Sequence, residues 1–90
     1  MKPRITISTA KDGELQIWLN ETGRDLLIEA LQGLNDTSND HLHLWTWDEG
    51  DLPLSDRAYE PTDRIVDTVK VLFRPDAWDR EYFPHVFGDD

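Results

Sequence analysis

The sequence predicts a small α+β domain, a two-layer sandwich in which one helix packs on a four-stranded, mainly antiparallel sheet in the order β-β-α-β-β. Four segments show the alternation of apolar and polar residues that is typical of half-buried strands: 3–9, 14–20, 41–47 and 64–73. A run with the spacing of an amphipathic helix lies between the second segment and the third. The chain has 90 residues, which fits a single domain.

The first two strands are predicted to form a hairpin. The tripeptide Lys11-Asp12-Gly13 supplies the turn, because Gly13 can take a positive φ. Trp18 points to one face of the second strand. The other face carries its three apolar side chains: Leu15, Ile17 and Leu19.

The helix is predicted to begin just after Asn20 and to cover one face of the sheet. Asn20 or Thr22 can cap its N-terminus. The polar run 35–40 is typical of a turn and ends the helix near Leu34. The apolar stripe follows the spacing i, i+3, i+4 and i+7: Leu27, Ala30, Leu31 and Leu34.

The third predicted strand, 41–47, carries aromatic side chains on the face away from the helix. Leu42 and Leu44 point toward the helix, because they alternate with the rings along the strand. The opposite face holds four rings: His41, His43, Trp45 and Trp47. This concentration of tryptophan on one sheet face is unusual and indicates an interface.

Residues 48–63 are predicted to form a long exposed loop, because they contain Gly50, Pro53 and Pro61 with six acids against one arginine. A loop of this length is uncommon and often functional. The last strand, 64–73, follows, and four of its apolar residues are predicted to face the helix: Ile65, Val69, Val71 and Phe73.

The chain is predicted to divide at residue 74. Residues 1–74 form the α+β domain, and residues 75–90 form an aromatic C-terminal tail around a short helix that Pro84 ends. The tail is expected to pack on the domain or in an interface.

Charge is unevenly distributed along the chain. There are 19 acids and 9 bases, a net charge of −10, and residues 35–90 alone carry 14 acids and five bases. Phosphate backbones and anionic membranes repel such a surface, which argues against nucleic-acid and membrane partners, whereas a basic protein is attracted to it. Solubility is the alternative explanation for the excess. With no cysteine and no apolar run of membrane-spanning length, we expect a cytoplasmic protein.

The sequence contains no pattern that predicts catalysis. His41 and His43 project to the same side of a strand and could ligate a metal, but zinc needs three or four ligands and no third residue has a signature spacing. The acids of 48–63 lack the shielding that general acid–base chemistry needs, and the glycines are isolated. We therefore expect a protein that is not an enzyme and that has no cofactor and no metal.

Binding is the remaining prediction. The open sheet face can be covered by the tail, by a second copy of the chain in a homodimer, or by a different protein, for which tryptophan is a typical anchor. In the last case the tryptophans supply apolar area and the neighbouring carboxylates pair with lysine and arginine. The predicted partner-binding residues are His43, Trp45, Trp47, Asp48, Glu49, Asp51, Asp56 and Glu60.

Three stretches of the chain resemble the immunity protein 32 family of bacterial polymorphic toxin systems: ELQIWLNETGRDLLIEALQGL, DHLHLWTWDEGDLPLS and DRIVDTVKVLF. The resemblance covers about residues 14–74. It departs from the family at Trp45-Thr46-Trp47, where a single tryptophan is usual. The matching residues are Glu21, Gly23, Leu27, Ile28, Leu31, Asp40, His41, His43 and Leu44.

This resemblance implies a non-enzymatic immunity protein that binds and neutralises a toxin encoded beside it, and the acidic surface implies that the toxin is basic. Strand 41–47 and loop 48–63 would then dock on the toxin and exclude its substrate. The main alternative is a homo-oligomeric adaptor or assembly protein that uses the tryptophan face. A nucleic-acid mimic is a further alternative, which would need carboxylates spaced like phosphates over an extended surface.

Overall fold

The computed structural model of the protein describes residues 1–88, which form an α+β fold of six strands, two α-helices and one 3-10 helix. The α+β class is the one that the sequence predicts. In chain order the elements are β1 (Ile5–Thr9), β2 (Leu15–Leu19), α1 (Glu21–Gln32), β3 (His41–Trp45), β4 (Leu52–Pro53), β5 (Arg64–Ile65), β6 (Thr68–Leu72), α2 (Asp76–Tyr82) and the 3-10 helix (Pro84–Phe87).

The strands divide between two three-stranded sheets, so the prediction of one four-stranded sheet is wrong. The first sheet has the order β2-β1-β5, with β1 antiparallel to both neighbours. The second has the order β4-β3-β6, with β3 parallel to β4 and antiparallel to β6. The predicted hairpin is present as β1 and β2, in which Ile7 is paired with Ile17.

The predicted last strand is split because its two halves pair with different sheets. Ile65 lies opposite Ser8 in the first sheet, whereas Val69 lies opposite Leu44 in the second. Asp67 marks the crossing: its carbonyl accepts from the Thr46 N–H at 3.1 Å, and its carboxylate accepts from the Thr46 hydroxyl at 2.8 Å. A run of β-branched residues cannot reveal such a change of partner, because both halves have strand character.

Residues 52–55 also connect the two sheets, which corrects the prediction that 48–63 is an exposed loop throughout. Leu52 and Leu54 are only 2% and 6% exposed and belong to the core. The Leu54 N–H donates to the Trp45 carbonyl at 3.1 Å, and the next N–H, of Ser55, donates to the Ile5 carbonyl at 2.7 Å. This segment therefore links β3 of one sheet to β1 of the other.

Helix α1 begins as predicted and covers the core. The Asn20 carboxamide oxygen accepts from the Gly23 N–H at 2.7 Å and caps the first turn. Of the predicted stripe, Leu31 is 43% exposed, whereas the other members and Leu26 pack against the core. Among residues 1–88 the core consists of six buried side chains, five from strands of both sheets and Leu54 just after β4: Ile5, Ile7, Leu42, Leu44, Leu52 and Leu54.

The aromatic side chains of the C-terminal segment contact one another. Trp78 packs against Tyr82 and Phe83, with ring centroids 4.7 and 5.3 Å apart, and the Arg74 guanidinium lies over the Trp78 ring. No residue of α2 or of the 3-10 helix is buried. The last two residues of the predicted tail, 89–90, lie outside the described residues, and the division at residue 74 stays a prediction.

Candidate partner-binding surface

Four aromatic side chains form a continuous row of ring contacts on β3 and just beyond it, edge to face between the first two rings and stacked between the others. We call this group, His41, His43, Trp45 and Trp47, the aromatic row. Successive ring centroids are 4.9, 4.8 and 4.5 Å apart. The row exists because alternate residues of a strand share a face, while Leu42 and Leu44 point into the core and hold the strand in place.

The row ends at an exposed tryptophan. Trp47 is 65% exposed, and its indole N–H donates to the Thr68 hydroxyl at 3.4 Å. On the neighbouring strand β6, Lys70 lies opposite His43 and Leu72 opposite His41. The surface therefore presents an exposed tryptophan beside rings that a paired strand holds in place, and tryptophan is a typical anchor of binding interfaces.

A turn of residues 48–51, the acidic turn, lies against the row. Asp51 fixes it, since its carboxylate accepts from the His43 N–H at 2.6 Å and its own N–H donates to the His43 carbonyl at 2.9 Å. Gly50 has φ +56°, and a Cβ there would lie 2.8 Å from the His43 carbonyl oxygen and 3.1 Å from the Trp45 ring. Only glycine allows the turn to approach the row this closely.

The two remaining acids of the turn are exposed beside the tryptophans. Asp48 accepts a hydrogen bond from the Glu49 N–H at 2.7 Å. Asp48 and Glu49 line a shallow depression of about 310 Å³ together with Trp45 and Trp47. Aromatic faces next to carboxylates suit a lysine or arginine side chain, which the rings attract by cation–π contact and the carboxylates by charge.

The structure brings six of the eight predicted partner-binding residues together and separates the other two. His43, Trp45, Trp47, Asp48, Glu49 and Asp51 form the aromatic row and the acidic turn. Asp56 and Glu60 follow the crossing at Ser55, which carries the chain to the first sheet. Glu60 lies there beside Trp18, and Asp56 is exposed.

A charged cluster lies at the other end of the row. The His41 Nδ1–H donates to the Asp40 carboxylate at 2.7 Å, and the Arg74 guanidinium lies 3.1 Å from the same carboxylate. The hydrogen bond from His41, helped by the positive charge of Arg74, lowers the pKa of Asp40 from its ordinary value. This cluster ties the start of β3 to the segment that leads into α2.

A second surface feature, which the sequence analysis does not predict, lies on the first sheet. Trp18 stacks on Tyr59, with ring centroids 4.2 Å apart and planes inclined by 8°. Beside this pair is a pocket of about 620 Å³, the Trp18 pocket, whose lining includes Lys11, Asp12, Gln16, Trp18, Glu60 and Asp63. A tryptophan on the polar face of β2 and a tyrosine within the acidic segment were the available signals.

Two further observations concern metal binding and membrane-spanning helices. Among residues 1–88 no group of three or more histidine and acidic side chains is close enough to hold a metal ion, and the His41 and His43 rings meet edge to face. Within the same residues no helix has the length and apolar character needed to cross a membrane.

Comparisons of the chain with protein-family models, with curated proteins and with solved structures find no match. The surface is therefore interpreted from its own residues and geometry.

Proposed function

We propose that this protein binds a basic protein partner through the aromatic row and the acidic turn. The observation that carries the proposal is the aromatic row itself, which ends at the 65% exposed Trp47 with Asp48 and Glu49 beside it. Burying an exposed indole against a partner stabilises a complex, and tryptophan is enriched among the residues that dominate binding energy.

The charge of the chain supports a basic partner. Its net charge of −10 attracts a positively charged protein over several ångströms and raises the rate of encounter. The row then supplies the short-range contact, because indole faces attract lysine and arginine as well as apolar groups. Acids at the rim steer the partner, and the rings hold it.

The partner we propose is a bacterial toxin, and the protein acts as its immunity protein. The resemblance of residues 14–74 to the immunity protein 32 family supports this choice. In this mechanism the row covers the basic surface that the toxin uses for its own substrate, and the substrate is excluded by simple occupation. The immunity protein needs no catalytic group for this task.

The test begins with affinity capture of partners and continues with the purified pair. The double variant Asp48→Asn/Glu49→Gln removes two charges at the row without touching Asp51, whose carboxylate holds the turn. A matched control, Glu29→Gln/Asp36→Asn, removes two exposed charges elsewhere. Binding of each variant is measured by isothermal titration calorimetry at about 0.05 and 0.5 M salt.

We expect the double variant to bind more weakly and with a smaller dependence on salt, and the control variant to bind like the wild type. Trp47→Ala is expected to weaken binding about tenfold or more at both salt concentrations. A bacterial host that expresses the partner should stop growing and should recover when this chain is co-expressed. Equal affinity of the wild type, Trp47→Ala and the double variant would contradict the proposal.

A homo-oligomeric adaptor is the second candidate, and the edge strand β2 favours it. Leu15, Ile17 and Leu19 lie on its core-side face, yet Leu15 is 63% and Ile17 57% exposed. In the described sheet β2 has a neighbour on one side only, so its other edge offers free backbone groups for pairing. Two copies could pair β2 with β2 about Ile17, since the strand contains no charged residue.

Sedimentation or light scattering at several concentrations distinguishes this candidate. An adaptor of this kind forms dimers, and Ile17→Lys should abolish them. Gln16→Lys adds the same charge on the opposite face of β2 and should preserve the dimers. A monomeric mass at all concentrations would rule out the adaptor and leave the immunity proposal untouched.

A further inference from the structure

Two residues beside the Trp18 pocket carry buried polar atoms that the folded chain leaves without partners. Within residues 1–88 the indole N–H of Trp18 and the Oδ2 atom of Asp63 are both buried, and neither makes a hydrogen bond. Leaving a buried donor or a charged acceptor unpaired is costly. Both residues line the pocket of about 620 Å³ between the β1–β2 hairpin and residues 60–63.

The charge of the pocket favours a cation. Its lining includes the carboxylates of Asp12, Glu60 and Asp63 against the single ammonium group of Lys11. A positive group placed there gains from all three carboxylates. It also relieves the cost of the unpaired oxygen of Asp63, since a nearby cation stabilises a carboxylate that has lost part of its water.

The shape and composition of the pocket favour a flat, delocalised cation over a metal ion. The three carboxylates do not form a cluster that could enclose an ion. The walls include the indole of Trp18, the methyl group of Ala10 and the side chain of Thr62. A guanidinium group has five donors in a plane and stacks on aromatic rings, so it can reach separated carboxylates while its aliphatic stem contacts apolar walls.

The same chain already uses this combination of groups within its own fold. The Arg74 guanidinium lies 4.7 Å from the centre of the Trp78 ring and 3.1 Å from the Asp40 carboxylate. That site pairs one guanidinium with one indole and one carboxylate. The Trp18 pocket offers the indole and the carboxylates without the arginine.

Tyr59 leaves the pocket side of Trp18 available. It stacks on one face of the indole and lines a neighbouring groove with Arg4 and Arg57 instead of this pocket. Its hydroxyl accepts a hydrogen bond from the Arg4 side chain at 3.0 Å. The tyrosine therefore packs against the indole without lining the pocket.

We propose that the Trp18 pocket binds an arginine side chain of the partner protein. The guanidinium stacks on the Trp18 ring and pairs with the carboxylates of Glu60 and Asp63. The proposal deepens the proposed function, because it names one residue type on the basic partner. It adds a contact on the first sheet to the contact made by the aromatic row on the second.

The test uses a small probe, so it does not depend on finding the partner. N-acetyl-arginine methylamide is titrated into ¹⁵N-labelled protein, and the indole N–H signal of Trp18 is followed by NMR after assignment with Trp18→Phe. N-acetyl-citrulline methylamide is the control probe, since it has the same length and a planar uncharged end. Glu60→Gln and Asp63→Asn are the test variants, and Asp56→Asn is the control variant.

We expect a saturable shift of the Trp18 signal with the arginine probe, and affinity about tenfold lower for citrulline and for Asp63→Asn. Glu60→Gln, at an exposed position that does not endanger folding, should also weaken binding, and Asp56→Asn should not. Equal binding of both probes, no saturable shift, or shifts confined to Trp45 and Trp47 would overturn the site. If the arginine probe fails while partner capture at the aromatic row succeeds, the proposed function stands and this site falls.

Discussion

Trp18 and Tyr59 stack nearly parallel, with ring centroids 4.2 Å apart, and join the first hairpin to the acidic segment. Thr6, directly opposite Trp18 on β1, is fully buried on that face of the sheet. The acidic segment is thus packed against the first sheet in its Tyr59 region. The contact places on the sheet a residue from a stretch whose composition is typical of a solvated loop.

The Trp18–Tyr59 contact predicts different effects for two substitutions of the tyrosine. Tyr59→Leu removes the stacking and should lower the free energy of unfolding by about 1 kcal/mol. Tyr59→Phe keeps the ring and loses only the exposed hydrogen bond from Arg4, so it should change the free energy by less than about 0.5 kcal/mol. Urea unfolding followed by tryptophan fluorescence measures both. A Phe variant as unstable as the Leu variant would mean that the hydroxyl, not the stack, holds the segment.

The same substitution is predicted to act with opposite signs at two threonines. The Thr6 hydroxyl is buried without a hydrogen-bond partner among the described residues, so Thr6→Val should raise the free energy of unfolding by about 1 kcal/mol. The Thr46 hydroxyl donates to Asp67 at 2.8 Å, so Thr46→Val should lower it by about 1 kcal/mol or less. Chemical denaturation of both variants provides the comparison, and destabilisation by Thr6→Val would show that its hydroxyl is satisfied in solution.

The buried leucines of residues 52–55 predict a large effect where the sequence indicates a loop. Leu54→Ala should lower the free energy of unfolding by about 2–5 kcal/mol, because it opens a cavity beneath both sheets. Leu72→Ala makes the same change at a side chain that is 53% exposed and should cost less than about 0.5 kcal/mol. Thermal unfolding by circular dichroism separates the two, and equal stabilities would place Leu54 outside the core.

The elements that the sequence predicts well are the ones that depend on neighbours along the chain. The alternation of Leu15, Ile17 and Leu19 and the helical spacing after Asn20 are local patterns, and the hairpin and α1 follow them. The bond between Ser55 and Ile5 joins residues that are far apart in sequence. No local pattern specifies it, and without it residues 52–55 look like part of a loop.

The candidate surface likewise combines features that follow from local sequence patterns with features that depend on contacts between distant residues. The grouping of His43, Trp45 and Trp47 follows from strand periodicity, which also predicts that they share a face. The separation of Glu60 from them follows from the crossing at Ser55, and the pairing of Trp18 with Tyr59 follows from the folded path of residues 55–63. The sequence shows that Glu60 is close to the other acids of residues 48–63, but it does not show which aromatic ring Glu60 lies beside.

The cluster of Asp40, His41 and Arg74 predicts a dependence of stability on pH. The hydrogen bond from His41, with the charge of Arg74, lowers the pKa of Asp40 below its ordinary value of 3.8. The folded protein therefore releases this proton more readily than the unfolded chain does. The stabilisation is fully present above the ordinary pKa and is lost as the pH falls through the lower pKa of the folded state.

Asp40→Asn removes the titrating group and tests this dependence. At pH 6 the variant should be less stable than the wild type, and the difference should shrink as the pH falls below about 4, where Asp40 itself becomes protonated. Asp36→Asn, at an exposed position in the preceding turn, is the matched control for the loss of one carboxylate. Urea unfolding between pH 2.5 and 6.5 gives the three curves. A difference in the free energy of unfolding between wild type and Asp40→Asn that stays constant over this range would contradict the prediction. It would show that the carboxylate gains nothing from His41 and Arg74, because the difference changes with pH only if the pKa of Asp40 differs between the folded and the unfolded state.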